Sequence, residues 1–148
     1  MTVKTVGIRH AGTSKNAGTP TSDSATGGQL CVGIDVAEIK RIAALPERYP
    51  DQIGSICTDR ELAQARSAPH PDETYAVCFA AKEAVGKALG TGLAGIDWTD
   101  IEAYVRPGHL EVILSGRAQQ RAAADNIRAW VGSWCRIGHA VLVCVVGN

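Results

Sequence analysis

The stretch Phe79-Ala-Ala-Lys-Glu-Ala-Val-Gly-Lys-Ala-Leu-Gly-Thr-Gly92 decides how this chain reads. It places a carboxylate, Glu83, and an ammonium, Lys87, one helical turn apart, so both project from one face. Gly90-Thr91-Gly92 follows, where the chain can turn tightly and bring backbone close to a ligand. A metal-binding acid, a proton-handling amine and a glycine turn in this order suggest a phosphate-processing site. Taken alone, a Glu/Lys pair at this spacing is more often an ordinary solvated surface pair, worth roughly 0.3–0.5 kcal/mol. Residues outside the stretch have to choose between the two readings.

Immediately upstream, Ser67 to Pro71 is a proline-bearing loop. The helix that carries the motif is expected to begin near Asp72 to Thr74 and to run to Leu89. Tyr75, Cys78, Phe79 and Leu89 form its core stripe, and Ala76, Ala80, Glu83 and Lys87 form a second one. Thr58-Asp-Arg-Glu61 has capping-box spacing and predicts a short helix to about Arg66. Val36, Ile39, Ile42 and Ala43 follow helical spacing with Lys40 and Arg41 facing outward, so a helix is expected from Val36 to Leu45. Pro46 either ends that helix or opens a second turn. Leu30-Cys-Val-Gly-Ile34 reads as a buried strand with Asp35 at its exit, and there Asp35 serves either as a helix N-cap or as a metal ligand.

Downstream, residues 101–106 and 110–115 alternate as strands around a turn at Pro107-Gly108-His109. Arg117 to Ala129 is alanine-rich and helical in expectation, and Ala140 to Val146 is a continuous apolar run with many β-branched residues, hence a buried strand. The fold class is therefore α+β, a small and mostly antiparallel sheet packed with helices. Residues 1–29 are rich in Gly, Ser, Thr and Asn and read as a flexible N-terminal tail, leaving 30–148 as the domain.

The 148 residues carry a formal net charge of zero, which argues against a nucleic-acid partner. No apolar run reaches the roughly 20 residues of a membrane span. Cys31, Cys57, Cys78, Cys135 and Cys144 are widely spaced, with no C-x-x-C pair, so neither zinc nor a disulfide framework is indicated. A cytoplasmic setting with mostly buried thiols is the expectation. His10 and His70 read as solvated side chains.

Four separated pieces, Gly33 to Ile42, Cys57 to Leu62, Phe79 to Gly92 and Trp98 to Glu102, resemble the holo-acyl-carrier-protein synthases. These small phosphopantetheinyl transferases move 4'-phosphopantetheine from coenzyme A to a carrier-protein serine. The resemblance implies that Asp35 and Glu83 hold Mg²⁺ against the coenzyme A diphosphate, a donor set suited to that ion. It implies that Lys87, with Glu83, serves the chemistry by assisting proton transfer or neutralising charge. Gly90, Thr91 and Gly92 would approach the nucleotide. Lys40 and Arg41 lie where the family docks its acyl carrier protein, against the plainer reading of two exposed basic residues on an amphipathic helix. The family also implies a homotrimer with sites between subunits, in fatty acid or polyketide biosynthesis.

The last third departs from the family's His-Val-Ser-Ile-Ser-His-Thr strand. Cys135 takes the signature His position, Arg136 the hydroxyl after it and His139 the Tyr position. Cys78 replaces an Arg before Phe79, and the Gly-Lys-Pro turn is Pro107-Gly108-His109. Arg136 is expected to compensate in part, since a guanidinium binds phosphate bidentately; Trp130 and Trp134 are large groups expected to narrow the pocket, and Cys135 reads as a packed apolar thiol rather than a nucleophile. Three functions follow: transfer from coenzyme A; a diverged natural-product enzyme using the old pocket for another acid/base reaction; and a non-catalytic carrier-binding module.

Overall fold

A computed structural model describes residues 30–148. The proposed tail and His10 lie outside the described residues. Strand β1 (Cys31–Glu38) leads into four helices, α1 (Ile39–Ala43), α2 (Leu45–Arg48), α3 (Ile53–Ile56) and α4 (Asp59–Ser67). The long helix α5 (Pro71–Ala88) follows, then strands β2 (Ile101–Arg106) and β3 (His109–Leu114), helix α6 (Gly116–Ala124), and strands β4 (Trp130–Ile137) and β5 (Ala140–Gly147). The strands form one antiparallel sheet in the order β1-β5-β4-β3-β2, so the fold is α+β as expected.

Helix α5 is laid across one face of this sheet, and glycine decides where. A Cβ on Gly33 would meet the carbonyl oxygen of Ala84 at 1.8 Å, so the helix backbone rests directly on β1. Val141, Val143 and Val145 of β5 face the same side and are fully buried, along with Val77, Ala81, Ala84 and Val85 of the helix. No described residue covers the other face of the sheet. Val32, Ile34, Val36, Val131 and Ile137 all point that way, and each leaves about half or more of its surface exposed.

Two expectations fail for one reason. The helix expected from Val36 starts only at Ile39, because β1 continues through Glu38, paired with β5 from Cys31↔Gly147 to Glu38↔Ala140. Val36 therefore belongs to the exposed sheet face rather than to a helix stripe, and Asp35 sits within the strand rather than at its exit. Short apolar runs satisfy both periods at once, and the ladder to β5, a contact remote in sequence, chose between them.

Other boundaries shift for local reasons. Pro46 opens the separate turn α2, the second of its two readings. Helix α6 stops at Ala124, short of Ala129, because Asn126 turns to φ 57° and sends the chain into β4. The hairpin turn needs only Pro107 and Gly108, since His109 already pairs with Arg106. The capping box of α4 forms as read: Thr58 Oγ1 accepts from the Glu61 N–H, and Glu61 accepts from the Thr58 N–H at 2.9 Å. Phe79 is only partly buried, its ring 5.0 Å from that of Trp98.

Candidate active site

Asp35 alternates with Ile34 and Val36, so on β1 it faces the helix while they face away. That face carries Glu83 and Lys87, because α5 crosses β1 at Ala84. The Nζ of Lys87 lies 2.7 Å from Asp35 Oδ1 and also donates to the Ile34 carbonyl at 3.2 Å. Residues more than fifty positions apart thus meet in one polar cleft at the edge of the core. Burial raises the Glu83 carboxyl above its ordinary range, nearby Asp35 raises it further, and Lys87 pulls it back. Two carboxylates that sense each other in a partly desolvated place are a donor pair of the kind that could hold a cation.

The glycine turn completes the same end of the helix. Gly90 and Gly92 both adopt positive φ, 74° and 59°, which turns the chain back along α5. The return is close: a Cβ on Gly86 would sit 2.8 Å from the Gly92 carbonyl group. Thr91 is exposed at the tip of this turn.

Arg136 is the predicted site residue that a single chain does not bring to this place. It faces the helix side of the sheet but binds Glu73 at 3.2 Å, and its Nε donates to the Gly138 carbonyl. Glu73 and Glu83 are separated by about 15 Å of helical rise. Lys40, His70, Glu73, Arg136 and His139 instead line a separate cleft of about 360 Å³ near the start of α5. Lys40 and Arg41 are exposed on α1.

The substituted positions have varied fates. Cys135 is exposed on the uncovered face of the sheet, so within one chain it is not the packed thiol that was expected. Cys78 points into the core, donating toward the Ala103 carbonyl at 3.7 Å, and does not face the cleft. Burial pushes the Cys57 thiol up to about 11 and Cys78 well above the usual thiol range, so neither is a thiolate at neutral pH. Trp134 is tied to the β2–β3 hairpin through its indole N–H and the Arg106 carbonyl at 2.7 Å. Strand β5 separates it from Asp35, a distance of roughly 10 Å across two strand spacings. Trp130 sits a further four residues along β4, opposite Gly147.

Sequence reading missed a buried pair behind the cleft. Lys82 and Glu61, 0% and 1% exposed, meet at 2.8 Å. Glu61 was legible as a cap, but not as a counter-ion. The available signal was a lysine set in a helix face that otherwise holds Phe79 and Gly86.

The sequence profile of the 4'-phosphopantetheinyl transferase superfamily matches residues 31–135. This chain belongs to that family. Within the family it groups with the holo-acyl-carrier-protein synthases. It is 38% identical over 101 residues to the holo-[acyl-carrier-protein] synthase of Caldanaerobacter subterraneus, an alignment covering 68% of this chain and 80% of the relative. A holo-[acyl-carrier-protein] synthase of Streptomyces avermitilis is 40% identical over 100 residues, covering 67% and 80%. Among solved structures, the Neisseria meningitidis synthase superposes with a TM-score of 0.69 at 28% identity, over 80% of this chain and 97% of that one. The Bacillus anthracis synthase in complex with coenzyme A (3',5'-ADP) gives 0.60 at 26% identity, over 79% and 94%. The family and its α+β architecture match the sequence-based expectation, and membership makes the chain a phosphopantetheinyl transferase. No helix among the described residues is long and apolar enough to cross a membrane.

Proposed function

We propose that this chain transfers 4'-phosphopantetheine from coenzyme A to a serine of an acyl carrier protein, with Mg²⁺ held by Asp35 and Glu83. The observation that carries the reading is the ion pair of Lys87 Nζ with Asp35, beside a Glu83 whose carboxyl feels both charges. Two carboxylates suit Mg²⁺ because that ion fills its remaining positions with phosphate oxygens and water. Bound there, it supplies charge neutralisation on the diphosphate.

The chain's own residues do the rest. The serine oxygen forms a bond to the phosphorus next to pantetheine, and the bond to the adenosine-bisphosphate oxygen breaks. The serine proton leaves as that oxygen takes up charge. Lys87, oriented by Asp35, stands where an ammonium stabilises the leaving oxygen and exchanges a proton with it. The backbone of Gly90 to Gly92, turned back on Gly86, forms the wall on which the nucleotide lies, with the Thr91 hydroxyl at its tip.

Exposed Lys40 and Arg41 are assigned to the docking of an acidic carrier protein, where charge speeds and orients encounter. The apolar face of β1, β5 and β4 that no described residue covers supports a homotrimer, since half-exposed Val and Ile side chains on β1 and β4, to either side of β5, form a patch of the kind that association buries. In that assembly Arg136 meets coenzyme A phosphates across a subunit boundary. The reading places the protein in the cytoplasm, in fatty acid or polyketide biosynthesis. The departures Cys135, Arg136 and His139 all lie on the β4–β5 hairpin and leave Asp35, Glu83 and Lys87 in place, and this favours transfer over a diverged acid/base reaction.

Incubation with an apo-carrier protein, coenzyme A and Mg²⁺ tests the reading by intact mass. The expected result is one phosphopantetheine adduct per carrier. No adduct across several carriers, with no coenzyme A binding by calorimetry, overturns it.

A further inference from the structure

Lys82 immediately precedes Glu83, yet its side chain runs in the opposite sense, into the core. An ammonium has three donor positions, and all three are used. One goes to Glu61 Oε2 at 2.8 Å, one to the Trp98 carbonyl at 2.9 Å and one to the Ile101 carbonyl. Glu61 is equally occupied: it accepts from the Thr58 N–H and, through its other oxygen, from the Ala103 N–H at 2.9 Å. The start of α4, the middle of α5 and the start of β2 therefore converge on a single buried charge.

The bond from Lys82 to Trp98 also closes a loop. The residues inside it, 83–97, contain Glu83, Lys87 and Gly90-Thr91-Gly92, every site residue that α5 and its turn supply. Phe79, one turn before Lys82, stacks on the Trp98 ring at 5.0 Å and reinforces the closure. On the far side of the helix, Gly33 fixes the approach to β1 at Ala84. The loop is thus held at both ends by one ammonium and against the sheet at its start.

We propose that Lys82, with Glu61 as its counter-ion, is a positioning residue that sets where Glu83, Lys87 and the glycine turn stand for phosphoryl transfer. The assignment rests on the transfer reading for its chemistry, but its geometry is independent of it. Stability alone is a poor reason for such a pair, because well-packed apolar residues often replace a buried ion pair without loss. An apolar side chain, however, cannot hold the Trp98 and Ile101 carbonyls, and with them the return of the loop. Groups that orient metal ligands from behind typically change metal affinity or activity by about 10- to 100-fold when removed.

The test uses the full chain with Lys82→Met and, as a milder change of similar shape, Glu61→Gln. Each is measured well below its own melting temperature, with folding checked by circular dichroism. Three quantities are read: kcat for carrier modification, Mn²⁺ affinity by electron paramagnetic resonance in the presence of coenzyme A, and hydrogen exchange by mass spectrometry. The expected result is a fall of about 10- to 100-fold in kcat and Mn²⁺ affinity, with faster exchange concentrated in residues 83–97 while β4 and β5 stay protected. A lowered melting temperature with kcat and Mn²⁺ affinity within twofold of the parent, or exchange raised evenly over the domain, overturns the proposal. Should Lys82→Met fail to fold, Glu61→Gln decides by the same criteria. If the unaltered chain modifies no carrier, the transfer reading falls, and the exchange pattern still decides whether the pair positions the loop.

Discussion

Lys87 Nζ and Asp35 Oδ1 stand 2.7 Å apart, an ion pair formed between a strand and a helix rather than within either. The lysine is 27% exposed and the aspartate 14%, so the pair sits at the boundary between core and solvent. In the proposed reaction that placement leaves the ammonium open to substrate and the aspartate to aim it. Replacing it with Lys87→Met is expected to lower kcat by about 10²- to 10⁴-fold, the range typical of a lost proton-transfer group. Stability should change by less than roughly 1 kcal/mol, because a partly exposed pair is screened. Timed intact-mass assays and a thermal melt check both halves.

Glu83 gives a pH dependence whose sign is fixed by its environment. Its carboxyl is raised, first by burial and then by Asp35. The folded chain therefore holds this proton more tightly than the unfolded chain does. The associated penalty is absent below the unfolded-state pKa and fully present above the raised folded one. Glu83→Gln should thus be more stable than the parent at pH 8, with the difference shrinking as pH falls through the raised pKa. Mn²⁺ binding by the parent should weaken on acidification at a higher pH than an ordinary glutamate would set. Urea midpoints and Mn²⁺ titrations across pH measure the two.

The contact of α5 with β1 depends on the missing side chain at Gly33. Gly33→Ala puts a methyl group 1.8 Å from the Ala84 carbonyl oxygen, backbone that cannot step aside cheaply. A loss of about 3 kcal/mol is expected, at the upper end for overpacking. Gly54→Ala is the control, since a Cβ there meets nothing within 4 Å, and a gain of roughly 0.5 kcal/mol is expected in its helical turn. Denaturant unfolding compares them.

The uncovered sheet face makes the assembly testable. Ile34→Asp and Val131→Asp each place a charge on a face whose exposed Val and Ile groups mark the proposed subunit contact. Light scattering should show three chains for the parent and one for either variant. A parent that is monomeric at micromolar concentration contradicts the homotrimer.

Arg136 separates the local role from the assembly role. Its guanidinium is more than half exposed in the pair with Glu73, so Arg136→Ala should shift stability by about 1 kcal/mol or less. KM for coenzyme A should rise about tenfold, the effect of one lost charge-assisted hydrogen bond. An unchanged KM would remove Arg136 from the site.

Much of this arrangement is written in local pattern. The spacing of Glu83 and Lys87, the glycines at 90 and 92 and the Thr58–Glu61 cap each depend on residues a few positions apart, and periodicity reports such neighbours faithfully. The family resemblance added Asp35, which the strand alone left open between cap and ligand. Lys82 stayed hidden because its partners, Glu61, Trp98 and Ile101, lie 16 to 21 residues away, and nothing local distinguishes a buried lysine from a solvated one. Val36 was misplaced for the same reason: only the ladder to β5 tells a sheet face from a helix stripe.

By itself, then, the sequence determined the family, the α+β class and the chemical types gathered on α5, since these follow from short-range order. Tertiary structure alone decided that Asp35 faces Lys87, that Arg136 turns to Glu73, and that a buried ammonium closes the loop between them and the core. Those facts depend on how β1 lies under α5, and that depends on a Cβ absent at Gly33, a constraint whose meaning appears only when the carbonyl of Ala84 is brought against it.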